Sequence, residues 1–130
     1  VSEVREGAVN AEVSLSVAGG DVIVATLTLD SLKSLGLTVG KAVTAFVKAP
    51  SVMVVTGDDS VRYSARNHLK GLVAELKTGA VNSEVVVKLA GGSEVKAIIT
   101  NDAVTDLGLA VGATASVLFK AGSVILGVTA

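Results

Sequence analysis

Sliding the sequence against itself by 72 positions lays residues 1–58 on residues 73–130 without a gap, and 23 of the 58 pairs are identical. The identities come in blocks. Gly7-Ala8-Val9-Asn10 falls on Gly79-Ala80-Val81-Asn82, Glu12-Val13 on Glu84-Val85, and Ala18-Gly19-Gly20 on Ala90-Gly91-Gly92. Leu35-Gly36-Leu37 falls on Leu107-Gly108-Leu109, and Lys48-Ala49 on Lys120-Ala121. A period this long exceeds a solenoid unit and predicts two tandem copies of one small domain. A chain of 130 residues allows one ordinary domain or two very small ones, and the repeat decides for two. The polar turn cluster Gly57-Asp58-Asp59-Ser60 marks the joint. The first domain is then 1–58, the linker 59–63 and the second domain 64–130.

The copies are unequal at one end. The second has a lead-in, Ser64-Ala65-Arg66-Asn67-His68-Leu69-Lys70-Gly71-Leu72, with no counterpart before Val1. The first copy is therefore expected to lack its opening strand, through trimming or because that segment comes from elsewhere.

Within a copy the apolar pattern has period two. Val9, Ala11, Val13, Leu15 and Val17 alternate with Asn10, Glu12, Ser14 and Ser16, as on a half-buried strand. Gly19-Gly20 supplies a tight hairpin, and Val22–Leu27 returns as a second strand. Asp30–Leu37 breaks the alternation, with Leu32 and Leu35 at helical spacing and Thr28 or Asp30 placed to cap a short helix. Gly36 or Gly40 ends it, and Lys41–Val47 and Val52–Thr56 read as further strands. The expected fold is all-β: two tandem OB-type five-stranded Greek-key barrels, each with one short helix.

Composition narrows the function. Half of the residues are apolar, with 25 valines and 18 alanines, but the aromatics are only Phe46, Tyr63 and Phe119. Small barrels built from small side chains leave apolar surface outside, which predicts an obligate oligomer. A single-stranded nucleic-acid surface needs a basic groove with stacking aromatics. Three aromatics and a net charge of −1 argue against it. Without cysteine, and with His68 the one histidine, thiolate chemistry and a histidine metal cluster are excluded. No apolar run approaches a membrane span, and no signal-peptide pattern opens the chain, so a cytoplasmic location is expected. Nothing reads as catalytic. Asp58-Asp59 suit a solvated turn, Glu12 and Glu84 fall on polar strand faces, and no nucleophile has a histidine partner in both copies.

What remains is a set of hydroxyls and cations. Thr28 matches Thr100, Ser31 stands at the start of the short helix, and Lys48 matches Lys120 at a strand end. Ser64 and Arg66 are two apart and share a strand face. Lys48 reads equally as an exposed strand-end lysine and Thr28 as a helix cap. Together, however, these groups are all donors, which is what a small tetrahedral oxyanion requires.

The lead-in Ser64-Ala65-Arg66-Asn67, followed by Gly79-Ala80-Val81-Asn82, Leu107-Gly108-Leu109 and Lys120-Ala121, resembles the molbindin (Mop) family over essentially the whole chain. The resemblance implies OB-type domains that bind molybdate or tungstate without catalysis and without an organic cofactor or bare metal cation. It places the anion at interfaces between domains, with Ser64, Arg66, Thr28, Ser31, Lys48, Thr100 and Lys120 as donors. The second copy has Ala103 where the first has Ser31, so a site using that copy lacks one hydroxyl. Val9, Asn10, Val81 and Asn82 are implied to line additional anion sites. The implied assembly is a homo-oligomer, a trimer of two-domain chains or a dimer, with no nucleic acid bound through this segment and no membrane. Two roles fit: storage and homeostasis of the oxyanion, which the spelling of the motifs favours, or the effector-sensing part of a molybdate-responsive regulator. A regulator would need a helix-turn-helix region, which this sequence does not contain.

Overall fold

Each segment read as a strand contains one. In the computed structural model, which describes residues 1–57 and 60–129, β2 (Asn10–Ser16) buries Ala11, Val13 and Leu15 and turns Glu12 and Ser14 outward. It pairs with β3 (Val22–Thr28) on one side and β1 (Glu3–Glu6) on the other. Thr28 caps the helix α1 (Leu29–Ser34), which buries Leu32, and Gly36 follows with a φ of 62°. The next two strands are shorter than expected. The turn closed by Lys41 N–H on the Thr38 carbonyl delays β4 to Thr44–Val47, and a single 3-10 turn at Ala49–Ser51, holding Pro50, delays β5 to Met53–Val55. Asp58 and Asp59 of the expected joint lie outside the described residues.

The second half repeats the order: β6 (Asn67–Thr78), β7 (Asn82–Leu89), β8 (Glu94–Thr100), α2 (Asn101–Leu107), β9 (Thr114–Phe119) and β10 (Val124–Gly127). Even single hydrogen bonds recur at the 72-residue offset. The Val1 ammonium donates to the Lys41 carbonyl at 2.8 Å, and Val73 N–H donates to the Ala113 carbonyl at 2.8 Å. Each half thus has five strands and one helix; the first copy, expected to lack its opening strand, keeps a short one, β1, because residues 3–6 still pair with β2.

The halves do not close separately. The sheets run β1-β2-β3, β10-β4 and β5-β9-β6-β7-β8. β5 of the first half pairs with β9 of the second, and β10 of the second pairs with β4 of the first. Since β4 corresponds to β9 and β5 to β10 in the repeat, the exchange is reciprocal. One continuous apolar cluster follows, in which Val13 and Ala25 of the first half join Val85, Val87, Ala97 and Val117 of the second, all fully buried.

The inequality at the start of the copies is visible in packing. β6 is long enough to pair with β7 through Gly71–Thr78 and with β9 through Asn67–Leu72. β1 matches only the far end of β6, so among the described residues β4 has β10 as its sole strand neighbour. The repeat-related pair Leu118 and Phe46 records the difference: Leu118 is 2% exposed and Phe46 55%. Truncation should therefore act unequally. Leu118→Ala is expected to cost about 2–4 kcal/mol and Phe46→Ala less than about 1 kcal/mol, as read from urea midpoints. Equal losses would contradict the difference in packing.

Candidate functional site

The lead-in of the second half is fixed by one buried amide. Asn67 is 1% exposed; its Oδ1 accepts from Val24 N–H and its Nδ2 donates to the Val24 carbonyl, both at 2.8 Å. The side chain thus imitates a strand partner for β3 of the other half. A buried amide satisfied on both atoms is a strong positional anchor. It carries Arg66, the residue before it, onto the surface of the first half.

Arg66 is engaged there. Its Nη1 donates to Glu12 Oε2 at 2.6 Å, with the arginine side chain 53% exposed and the glutamate side chain 27%. Lys120 arrives at the same end. β6 and β9 are antiparallel with Asn67 opposite Phe119, so the next residues outward on the two strands are Arg66 and Lys120. Lys120 opens the 3-10 turn Ala121–Ser123, which packs on β3. Arg66 therefore meets β2 of the other half and the turn opened by Lys120 packs on its β3, while Ser64, Arg66 and Lys120 are all exposed.

Thr28 and Ser31 form a second group at the end of β3. Thr28 Oγ1 accepts from Ser31 N–H at 3.1 Å and donates to Ser31 Oγ at 3.0 Å. Cross-strand partners share a face. The outward face of β2 and β3 accordingly carries Glu12 opposite Thr26 and then Asn10 opposite Thr28. Thr28 stands two residues, about 7 Å, beyond the level at which Arg66 is held. The structure does not join Thr28 to Arg66 by a direct hydrogen bond.

Lys48 lies elsewhere. It precedes the 3-10 turn Ala49–Ser51, which packs on β8 as its repeat equivalent packs on β3. Lys48 therefore belongs with Thr100, whose Oγ1 accepts from Ala103 N–H at 3.1 Å and has no serine hydroxyl beside it. Asn82 is opposite Thr100. Val9 and Val81, 72% and 69% exposed, sit at the two equivalent hairpin tips. The Arg66 ion pair and the turn after Lys120 thus lie on β2 and β3, the latter leading to Thr28 and Ser31, whereas the turn after Lys48 lies on β8, which ends at Thr100.

Two contributors escape sequence reasoning. Asn67 sits in the motif with no signal of burial, and Glu12 reads as ordinary polar surface; Ser64 and Arg66, expected to share a strand face, precede β6, which begins at Asn67. His68 packs edge-on against Tyr63 with ring centres 5.4 Å apart. Among the described residues no group of three His, Cys, Asp or Glu could hold a metal ion. None of the described helices is long and apolar enough to cross a membrane.

The chain as a whole resembles known proteins. The TOBE domain model matches residues 1–54 and again 63–126. The molybdenum transport protein ModE of Herbaspirillum seropedicae is 40% identical over 128 residues, covering 98% of this chain and 48% of that protein. The molybdenum-pterin-binding protein MopA of Rhodobacter capsulatus is 43% identical over 126 residues, covering 97% and 48%. The chain spans about half the length of these curated relatives. A crystal structure of the cytoplasmic molybdate-binding protein ModG, with molybdate bound, superposes with a TM-score of 0.95 at 51% identity, covering 99% of this chain and 92% of that one.

Proposed function

From the premise that the chain belongs to the TOBE-domain family, as a tandem di-Mop protein, we propose that it captures molybdate or tungstate in the cytoplasm, for storage and homeostasis rather than for chemistry. The observation that carries this reading is that Arg66 and Lys120, the next residues outward from the Asn67–Phe119 pair, both stand against the other half of the chain, with Ser64 two residues before Arg66. A tetrahedral dianion has only acceptors, so every partner must donate, and charge-assisted donors are the strong ones. To reach Thr28 as well as Arg66, an anion must span the gap set by a two-residue offset, about 7 Å along the strand. Thr28 and Ser31 close the site from the same chain across this gap or from a neighbouring chain. Lys48 and Thr100 offer a second, poorer site, and Val9, Asn10, Val81 and Asn82 line additional ones. Residues 1–58 and 64–130 act as the two repeats.

Assembly follows from the surface. Three repeat-related apolar pairs stand exposed: Val9 with Val81, Val39 with Val111 and Met53 with Ile125. Covering them in a homo-oligomer, a trimer or alternatively a dimer, removes that surface from water. The match to half of ModE supports a second reading, in which the same capture is the effector step of a molybdate-responsive regulator.

Titration calorimetry tests the binding. Molybdate and tungstate, alike in charge and size, should bind alike; sulfate is smaller, reaches fewer donors at once and should bind more weakly. Lys120→Ala should weaken molybdate by about tenfold to a hundredfold, the value of a hydrogen bond to a charged group. Its melting temperature should hold, since Lys120 is exposed. Equal binding of sulfate, or none of molybdate, would refute the reading.

A further inference from the structure

The site described above contains one group of the wrong sign. Glu12 projects from the middle of β2, on the half opposite the one that supplies Arg66, and takes the guanidinium at Nη1. It is the less exposed partner of the pair. Around it on the same face stand Arg5 across β1 and Thr26 across β3. The Arg5 guanidinium is engaged by Glu3 at 2.5 Å, and its pKa is held up first by that hydrogen bond and then by the charges of Glu3 and Glu12. Glu12 thus has Arg66 as its ion-pair partner, and the arginine proposed to bind the oxyanion carries a carboxylate already.

We propose that Glu12 is a resident counter-ion of Arg66 that competes with the incoming oxyanion and thereby sets the affinity of the site. The inference rests on the molybdate-binding reading of Arg66. An oxyanion on the same guanidinium faces the carboxylate at short range, so it either displaces Glu12 or binds against its charge. Both routes cost affinity. In return, the empty site keeps a cross-half ion pair where it would otherwise hold an unpaired cation. Binding exchanges one link between the halves, Glu12 to Arg66, for another made through the anion.

The repeat provides the control. Glu84 occupies the position of Glu12 in the second half, opposite Lys77 and Ile98, and has no ion pair among the described residues. Glu12→Gln and Glu84→Gln change the net charge equally, but only the first frees Arg66.

Calorimetry with sodium molybdate on the full chain and on each variant decides the matter. A unit charge about 6 Å from a dianion in a water-like medium alters affinity by about tenfold. Glu12→Gln should therefore lower the molybdate dissociation constant about tenfold, and Glu84→Gln should leave the Arg66 site within about twofold. Binding by Glu12→Gln where the parent chain shows none would also support the competition. Parent binding that Glu12→Gln leaves unchanged or weakens, or that both variants tighten equally, would overturn this proposal alone. Absence of binding in all three proteins would overturn it together with the molybdate reading.

Discussion

Gly91→Ala should destabilise the protein by about 3 kcal/mol or more, a large part of a small domain's total stability. Gly19 and Gly91 are the same position of the repeat, and they meet where the two halves come together. A Cβ on Gly91 would stand 2.0 Å from the Ala18 carbonyl oxygen and 2.8 Å from Gly19 Cα. Both neighbours are backbone, so no rotamer change relieves the clash, and the loops themselves must separate. Separation would also break the hydrogen bond from Gly91 N–H to Asp21 Oδ2 at 3.3 Å. Gly91 has no positive φ, so its requirement is space alone. Gly122→Ala is the control, since a Cβ there meets nothing within 4 Å. It should be neutral or slightly stabilising, because alanine reduces the freedom of the unfolded chain. Thermal melts of the two variants measure the contrast. A Gly91→Ala protein melting with the parent would show that the two loops are not in contact.

That contact illustrates what the sequence could not convey. The repeat announces two copies, and period-two alternation announces β2, β3, β7 and β8, because a half-buried strand must alternate. Strand exchange is invisible to the same reasoning. β4 and β9 carry matching apolar patterns, as do β5 and β10, so pairing within a copy and pairing across copies offer nearly the same side-chain contacts. Local pattern cannot choose between two arrangements that satisfy it equally; the tertiary packing of the whole chain does. The starts of β4 and β5 depart from the alternation for a related reason, since valine-rich runs read as strand even where a turn consumes their first residues.

The candidate site divides in the same way. Thr28 was legible as a cap because its chemistry is local, and the structure shows its hydroxyl doing that. Ser64 and Arg66 read as neighbours on one strand face because they are two apart, yet β6 begins only at Asn67. Neither observation revealed that Arg66 reaches Glu12, 54 positions away in sequence. Asparagine is mostly a surface residue, and nothing in Arg66-Asn67-His68 marks the middle one as buried.

Asn67→Ala is therefore the substitution that should damage fold and site together. It removes both hydrogen bonds to Val24 and leaves a buried N–H and a buried carbonyl unpaired, a cost of about 2–4 kcal/mol. Asn67→Asp should be no rescue: the carboxylate keeps an acceptor for Val24 N–H but faces the Val24 carbonyl with no donor, in a buried place that disfavours charge. Loss of the anchor also frees the segment bearing Ser64 and Arg66, so donors fixed in place become donors that must be ordered when the anion arrives. Molybdate affinity should fall for Asn67→Ala even at temperatures where the variant is fully folded. Val85→Ala separates the two effects, since Val85 is fully buried and its repacking touches no candidate donor. If Asn67→Ala loses affinity and an equally destabilised Val85→Ala does not, the amide acts on the site by positioning. If both bind as the parent does, Asn67 serves the fold alone, and Arg66 finds the anion without it.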